Sequence, residues 1–174
     1  MFRIILVYGS IAGGILVAAL IAKTLFIEGV GSELQGYLTM LVALSLVFVG
    51  VKRYRDQRLG GVIKFLPAFG LGLGIAAVAG LFYAISWEVS LHLTDFAFVD
   101  QYREMMIAGY EAEGLTGDAL NEKISQMDAM MEAYGNPLFR LAVSFFLEFL
   151  PVGFIVSLIS ALLLRNPKVF PATA

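Results

Sequence analysis

Four long apolar runs dominate the sequence, at about residues 4–27, 34–51, 65–93 and 138–164. A helix needs roughly 20 apolar residues to cross the hydrocarbon core of a bilayer, and these runs lack the alternation of a membrane-spanning strand. A soluble domain normally carries about 25% charged residues, whereas this chain has 15% charged and 59% hydrophobic residues. We therefore expect residues 1–174 to form one all-α integral-membrane domain, a polytopic protein with four transmembrane helices.

The charges of the connecting segments predict how the chain crosses the membrane. Segment 52–64 holds five basic residues and one acidic residue, whereas segment 94–137 holds nine acidic residues and two basic ones. Basic loops remain on the cytoplasmic side, so segment 52–64 and both termini are predicted to be cytoplasmic. The first run is longer than the apolar region of a secretory signal peptide, so we expect it to remain as a span.

The acidic segment between the third and fourth runs has the pattern of two helices. Apolar residues of its second half recur at the three- and four-residue spacing of one helical face: Leu120, Ile124, Met127, Met131 and Tyr134. Thr116 is positioned to cap this helix, Gly135 to end it and Asn136-Pro137 to begin the next. The prediction is an extracytoplasmic two-helix hairpin over about residues 96–135, whose apolar face either joins its two helices or lies on the outer face of the bundle.

Two stretches of the sequence resemble a known family. They contain Gly36-Tyr37-Leu38-Thr39-Met40 with the segment 48–56, and Asn136-Pro137-Leu138-Phe139 with the segment 146–153. In combination they resemble domain-of-unknown-function family 4199, a family of bacterial four-span membrane proteins. The resemblance implies a location in a Gram-negative inner membrane, and it implies neither an activity nor any functional residue.

Glu148 is the most informative polar residue, because it lies near the middle of the fourth run. An ionisable side chain at that depth is costly and suggests a functional site. Pro151 cannot donate a hydrogen bond to the carbonyl of Leu147, which leaves the backbone open beside the carboxyl. Tyr83 and Ser45 are expected at similar depth and complete a candidate intramembrane polar site. It either binds a proton or cation, or holds a neutral carboxyl that fixes helix register.

A second group of polar residues is expected near the outer surface: Lys23, Glu88, His92 and Arg140. Glu88 and His92 are four residues apart and share one helical face. This candidate outer vestibule either receives an anionic or zwitterionic ligand, or consists of interfacial ion pairs and snorkelling side chains. Small residues at four-residue spacing, at Gly9 and Gly13, at Gly70 and Gly74, and from Gly72 to Gly80, predict close helix packing within the chain or a homodimer face.

The sequence carries no recognisable catalytic motif. It has no cysteine and one histidine, which excludes thiolate chemistry and a histidine-rich metal site. Five of seven methionines fall in the hairpin, where they are either Cu(I) ligands or apolar packing. We expect no enzyme, no cofactor, no bound metal and no nucleic-acid partner.

Two functions follow as hypotheses. The leading one is a small non-enzymatic inner-membrane protein, an accessory or scaffold subunit whose acidic outer hairpin contacts an envelope partner. The alternative is a small homo-oligomeric transporter or channel that uses Glu148 as an intramembrane proton or cation site. The partners expected are the lipid bilayer and either a second copy of the chain or an envelope protein.

Overall fold

The structure is a computed structural model that describes residues 1–26 and 33–171. Within those residues the chain is helical and contains no strand. The elements are α1 (Phe2–Phe26), α2 (Glu33–Arg58), α3 (Phe65–Leu93), α4 (Ala97–Ala112), α5 (Gly117–Tyr134), α6 (Pro137–Ala142), a π-helical segment (Val143–Phe149) and α7 (Leu150–Leu164).

Four helices are long and apolar enough to cross a membrane: Phe2–Phe26, Leu34–Arg58, Phe65–Leu93 and Pro137–Leu164. The last of these is the fourth span, and it consists of α6, the π-helical segment and α7. Two further helices, α4 and α5, lie between the third and fourth spans. The predicted all-α class, with four apolar spans and an inserted helix pair, is confirmed.

The second helix is longer than the sequence suggested. The apolar run ends near residue 51, and a basic loop was expected to follow, but α2 continues to Arg58. Lys52 Nζ donates to Asp56 Oδ2 at 2.6 Å, and such pairs four residues apart stabilise a helix. Basic side chains also complement the carbonyl end of a helix. The chain then turns at Gly60, whose φ of 64° suits glycine.

α3 is the central helix and packs against α1, α2 and α7. α2 also packs against α1 and α7, so the α2–α3 pair lies between the other two. Glycines permit the close approaches. A Cβ atom built on Gly9 would lie 2.5 Å from Val78 Cβ, and one on Gly80 would lie 2.7 Å from Phe149 Cδ1. These small residues therefore pack spans together, as predicted, whereas Gly70 has open space beside it.

The two ends of the molecule differ in charge, and we call them the basic end and the hairpin end. Arg55 lies at the basic end and is fully buried. Its guanidinium donates to Asp56 Oδ1 at 2.7 Å, to the carbonyl of Val169 at 3.0 Å and to the carbonyl of Phe170. The sequence suggested a loop arginine. The structure buries it because the neighbouring Asp56 carboxylate and two backbone carbonyls beyond α7 together satisfy its donors.

At the hairpin end, α4 and α5 pack against each other as predicted, and α5 contacts α6. Arg103 of α4 donates to Asp128 of α5 through two hydrogen bonds of 2.8 and 3.2 Å. Thr116 occupies the N-cap position of α5, but its side chain makes no capping hydrogen bond. Asn136 does cap α6, because its Oδ1 accepts from the backbone N–H of Leu138 at 2.9 Å.

Candidate functional site

A cleft of about 520 Å³ lies beneath the hairpin, a volume within the usual range of ligand pockets. α6 and the π-helical segment pack against α3, whereas α7 packs against both α2 and α3. The cleft therefore lies between α2 and the hairpin-end half of the fourth span. It is lined by Lys23, Gly36, Tyr37, Met40, Tyr83, Trp87, Phe98, Val99, Tyr102, Met130, Met131, Tyr134, Phe139, Val143, Leu147 and Glu148.

Glu148 and Tyr83 meet in the wall of this cleft. Tyr83 Oη donates to Glu148 Oε2 at 3.1 Å, which joins α3 to the π-helical segment. The ring of Tyr83 stacks on Phe149 with 5.5 Å between ring centroids, so the phenol is held in position. Within the described chain the second carboxylate oxygen of Glu148 makes no hydrogen bond, and it is not buried. The carboxyl therefore remains open to the cleft.

The carboxyl of Glu148 is distant from both ends of its span. The fourth span is 28 residues long and begins at Pro137. At about 1.5 Å per residue, Glu148 lies roughly 16 Å along it, which is close to its middle. A carboxyl there is remote from water on both sides unless the cleft provides access.

The helix that carries Glu148 has an unusual backbone. Val143–Phe149 is π-helical, a rare geometry that occurs frequently at functional sites. Pro151 is the second residue after this segment and has no N–H for the carbonyl of Leu147. The sequence predicted a broken helix at the proline. In the structure the backbone is instead continuous and widens into π-helical turns just before it. In the same segment, Ser144 Oγ is fully buried and makes no hydrogen bond to any described residue.

Ser45, the third residue predicted for this site, lies elsewhere. It is exposed on α2, and its Oγ donates to the carbonyl of Val42 at 2.6 Å. The α2 residues that line the cleft are Gly36, Tyr37 and Met40, which lie nearer to the hairpin end. The second run is apolar on all sides, so depth alone did not indicate which face of α2 points inward.

Aromatic side chains form much of the cleft wall and link the hairpin to the spans. Trp87 Nε1 of α3 donates to Tyr134 Oη of α5 at 2.7 Å. The Trp87 ring also packs edge-on against Phe98 of α4, with ring centroids 4.9 Å apart. Burial raises the pKa of the Tyr134 phenol, which therefore stays neutral. The sequence placed Tyr134 on the apolar face of the hairpin but did not pair it with Trp87, because only the tertiary fold brings the two together.

Glu88 and Arg140 form a partly buried ion pair, in which the Arg140 side chain is buried and the Glu88 side chain is 18% exposed. Arg140 Nε donates to Glu88 Oε2 at 2.8 Å, and Nη2 bonds to the second carboxylate oxygen. Arg140 Nη1 donates to the carbonyls of Tyr134 and Gly135 at 2.8 and 3.0 Å. The guanidinium also lies 5.1 Å from the centroid of the Phe96 ring. These contacts join the hairpin to α3 and α6, and we call them the Arg140 clasp.

The predicted outer vestibule is thereby divided. His92 is exposed beside the clasp, with Nδ1 2.8 Å from the carbonyl oxygen of Glu88 and 3.7 Å from Glu88 Oε1. Lys23 instead lines the cleft, together with Tyr83 and Trp87. Three of the four predicted residues therefore meet at the clasp, and the fourth belongs to the cleft that contains Glu148.

Metal-ligating side chains do not converge in the part of the chain that the structure describes. Within residues 1–26 and 33–171, no group of three or more histidine, aspartate and glutamate side chains is arranged to hold a metal ion. Of the hairpin methionines, Met130 and Met131 line the cleft and Met127 is buried. With Met40 of α2, the cleft thus offers three thioethers beside one carboxyl.

Comparisons with known proteins agree with the resemblance noted in the sequence. Residues 7–166 match the family model described as "Protein of unknown function (DUF4199)". No curated protein and no solved structure matches the chain. Because the family match spans all four apolar helices and the hairpin between them, the chain belongs to the DUF4199 family.

Proposed function

We propose that this chain is a small non-enzymatic membrane transporter or channel in which the Glu148 carboxyl binds a proton or a cation. One observation carries the proposal. The carboxyl lies near the middle of its span, on a π-helical segment, and one of its oxygens is open to the cleft beneath the hairpin. A purely structural carboxyl would be expected to have both oxygens bonded, because unpaired polar groups in the membrane are costly.

The location and orientation belong to the same proposal. We infer a bacterial inner membrane, with both termini and the basic end in the cytoplasm and the hairpin outside. Basic segments are retained in the cytoplasm, and four of the five basic residues of segment 52–64 lie in the last turns of α2. In this orientation the cleft opens toward the outer side. Passage across the membrane would then also need an opening toward the basic end, or a second copy of the chain.

Flux through purified protein tests the proposal. The wild type is reconstituted in liposomes that contain a pH-sensitive dye, and a potassium gradient with valinomycin imposes a membrane potential. We expect proton entry well above that of empty liposomes. Glu148→Gln should abolish it, and Tyr83→Phe should reduce it, because the phenol positions the carboxyl. Glu104→Gln, on the exposed surface of the hairpin, is the matched control and should behave as wild type.

Two outcomes would reject the proton form of this proposal. One is a wild-type flux no greater than that of empty liposomes. The other is a folded Glu148→Gln protein, monodisperse on size exclusion, with undiminished flux. The same liposomes loaded with a sodium- or potassium-sensitive dye test the inorganic-cation form, and Glu148→Gln should abolish that flux as well.

A second candidate function is an accessory or scaffold subunit that contacts an envelope partner through the hairpin. Two observations favour it. The Arg140 clasp fixes the hairpin on the spans, and the acidic side chains of α4 and α5 are exposed, among them Glu111, Asp118 and Glu122. Like charges displayed on a fixed surface suit a basic partner. Such a partner would add its mass to the intact assembly in native mass spectrometry.

Charge reversal provides the test of the scaffold function. The protein is extracted gently from its own membrane, as wild type and as the Glu111→Lys/Glu122→Lys variant. We expect the partner's mass in the wild-type assembly and its loss in the variant. A wild-type assembly that contains copies of this chain alone would reject the scaffold function and favour a homo-oligomer.

A further inference from the structure

The two charged residues of the cleft wall lie at different depths. Glu148 is near the middle of its span. Lys23 is near the end of α1, and the adjacent Thr24 bonds to Ser90 of α3 at 2.7 Å. Ser90 is seven residues beyond Tyr83, or roughly 10 Å along the helix at 1.5 Å per residue. The deep part of the cleft therefore contains a carboxyl, and the positive charge on its wall belongs to the shallow part.

Aromatic rings surround the space next to this carboxyl. Tyr83 and Trp87 come from α3, Tyr37 from α2, and Tyr102 and Tyr134 from the hairpin. The face of an aromatic ring attracts a cation, and the attraction is strongest where water is excluded. A carboxylate among several rings is the usual chemistry of a site for an organic cation.

An inorganic cation suits this wall less well. A sodium or calcium ion replaces its water with several oxygen ligands. The deep part of the cleft provides the carboxylate of Glu148 and the hydroxyl of Tyr83 at 3.1 Å from each other, and the remaining wall is largely aromatic and aliphatic. A ligand that carries its own apolar body satisfies both kinds of surface at once.

The cleft is also open toward lipid. It lies between α2 and the hairpin-end half of the fourth span, and its rim residues Tyr37, Phe139 and Leu147 are 49%, 42% and 71% exposed. In a bilayer this rim faces the hydrocarbon chains or the interface. A compound that partitions into lipid can therefore reach Glu148 from the side, without passing through the hairpin.

From these observations we propose that the cleft binds a lipophilic organic cation, with one positive charge on an aromatic body. The charge lies against the Glu148 carboxylate, and the apolar body lies among Trp87, Tyr102 and Tyr134. The cleft volume of about 520 Å³ accommodates a ligand of this size. The inference rests on the proposed function, because it assigns the substrate class of the same carboxyl.

The test uses two probes of the same shape and opposite charge. Binding of radiolabelled tetraphenylphosphonium and of tetraphenylborate is measured by equilibrium dialysis on the full chain in lipid nanodiscs, with empty nanodiscs as the blank. We expect saturable binding of the cation and none of the anion. Glu148→Gln should weaken cation binding at least tenfold, and Tyr102→Leu severalfold. Glu104→Gln should leave the affinity unchanged.

The outcomes separate this inference from the transport proposal. Equal binding of both probes, or an unchanged affinity in Glu148→Gln, would overturn the inference. If Glu148→Gln fails to fold, the Tyr102→Leu variant and the comparison of the two probes still test the inference, because neither depends on Glu148→Gln. Binding that requires Glu148 without any flux in liposomes would support the site and reject transport. Proton flux that requires Glu148, with no binding of tetraphenylphosphonium, would support transport and reject this ligand class.

Discussion

At the scale of single residues, buried arginines determine how the two ends of the molecule are held. Arg140 and Arg55 are 3% and 0% exposed, and each guanidinium bonds both a carboxylate and backbone carbonyls. Arginine suits this role because its planar fork carries five donors and stays charged. Both arginines join segments that are far apart in the sequence, so each closes one end of the fold.

Removal of Arg140 should weaken the fold strongly. Arg140→Met leaves the Glu88 carboxylate without its partner. Loss of one member of a fully buried pair costs about 3–5 kcal/mol, and because the Glu88 side chain is 18% exposed, we expect a loss at or below the lower end of that range. Unfolding by denaturant in mild detergent measures the change. The double variant Arg140→Met/Glu88→Met should recover much of the loss, because no unpaired charge remains. A single variant as stable as the wild type would mean that the clasp does not hold the hairpin.

The Arg103–Asp128 pair should make closure of the hairpin sensitive to acid. The guanidinium lowers the pKa of the Asp128 carboxyl below its ordinary value of 3.8. A carboxyl whose pKa is lower in the folded state stabilises that state above its unfolded pKa, and this stabilisation is lost as the pH falls through the folded pKa. We therefore expect this pair to stabilise the contact of α4 with α5 from neutral pH down to about pH 4 and to lose that effect below it, a small loosening because the pair is exposed.

The distance between labels on α4 and α5 measures this loosening. The chain has no cysteine, so the variant Glu104→Cys/Ala129→Cys carries labels at two exposed positions and nowhere else. Asp128→Asn is the control and should show little change between pH 5 and pH 3. If the distance between the two labels is the same at both pH values, Asp128 is not the acid-sensitive group.

At the scale of elements, the contact between α3 and the fourth span positions the carboxyl. Gly80 of α3 lies against Phe149, and Phe149 in turn stacks on Tyr83. Gly153 lies against Ala76 in the same contact, where an added Cβ would be 2.9 Å from Ala76 Cβ. Because the helices approach so closely, the π-helical segment and the Tyr83 phenol share one rigid surface. The position of Glu148 therefore depends on residues that never touch it.

A methyl group at Gly80 should disturb this contact. In Gly80→Ala the new Cβ would lie 2.7 Å from Phe149 Cδ1, and overpacking of this kind typically costs about 1–3 kcal/mol. We expect a lower unfolding temperature in detergent. We also expect weaker binding of any ligand whose binding requires Glu148. Gly70→Ala is the matched control on the same helix, because a Cβ there meets nothing within 4 Å. Equal stability of the two variants would contradict the close packing.

At the scale of the whole molecule, charge is separated between the two ends. The hairpin displays exposed acids such as Glu111, Glu113 and Asp118, whereas exposed Arg58 and Lys64 lie at the opposite end. Positive charge is retained on the cytoplasmic side during insertion. The separation therefore predicts one orientation of the whole protein, and a membrane-impermeant reagent can test it.

Single-cysteine variants in intact cells provide that test, since the chain has no cysteine of its own. Glu113→Cys should react with an impermeant maleimide added outside, once the outer membrane is permeabilised. Arg58→Cys should react only after the inner membrane is opened. The reverse pattern would place the hairpin in the cytoplasm and invert the direction from which the cleft is reached.

The sequence predicted the architecture well because long apolar runs and helical spacing are local signals. It also indicated Glu148 and Tyr83, because polar residues within apolar runs can be placed by depth. It did not predict the burial of Arg55 or the outward face of Ser45, since neither local charge nor depth specifies which side of a helix packs inward. The hairpin aromatics over the cleft depend on contacts between distant segments, such as Trp87 with Tyr134.

The Arg140 clasp also constrains the order of events during synthesis. Glu88 and Arg140 are 52 residues apart in the chain, so the ribosome has delivered the third span before it produces the arginine. The hairpin is therefore made before its anchor, and α4 and α5 remain unattached to the spans until Arg140 has been synthesised. Protease resistance of the hairpin in a timed membrane-insertion reaction should appear only after that step. Closure of the clasp thus marks the completion of assembly.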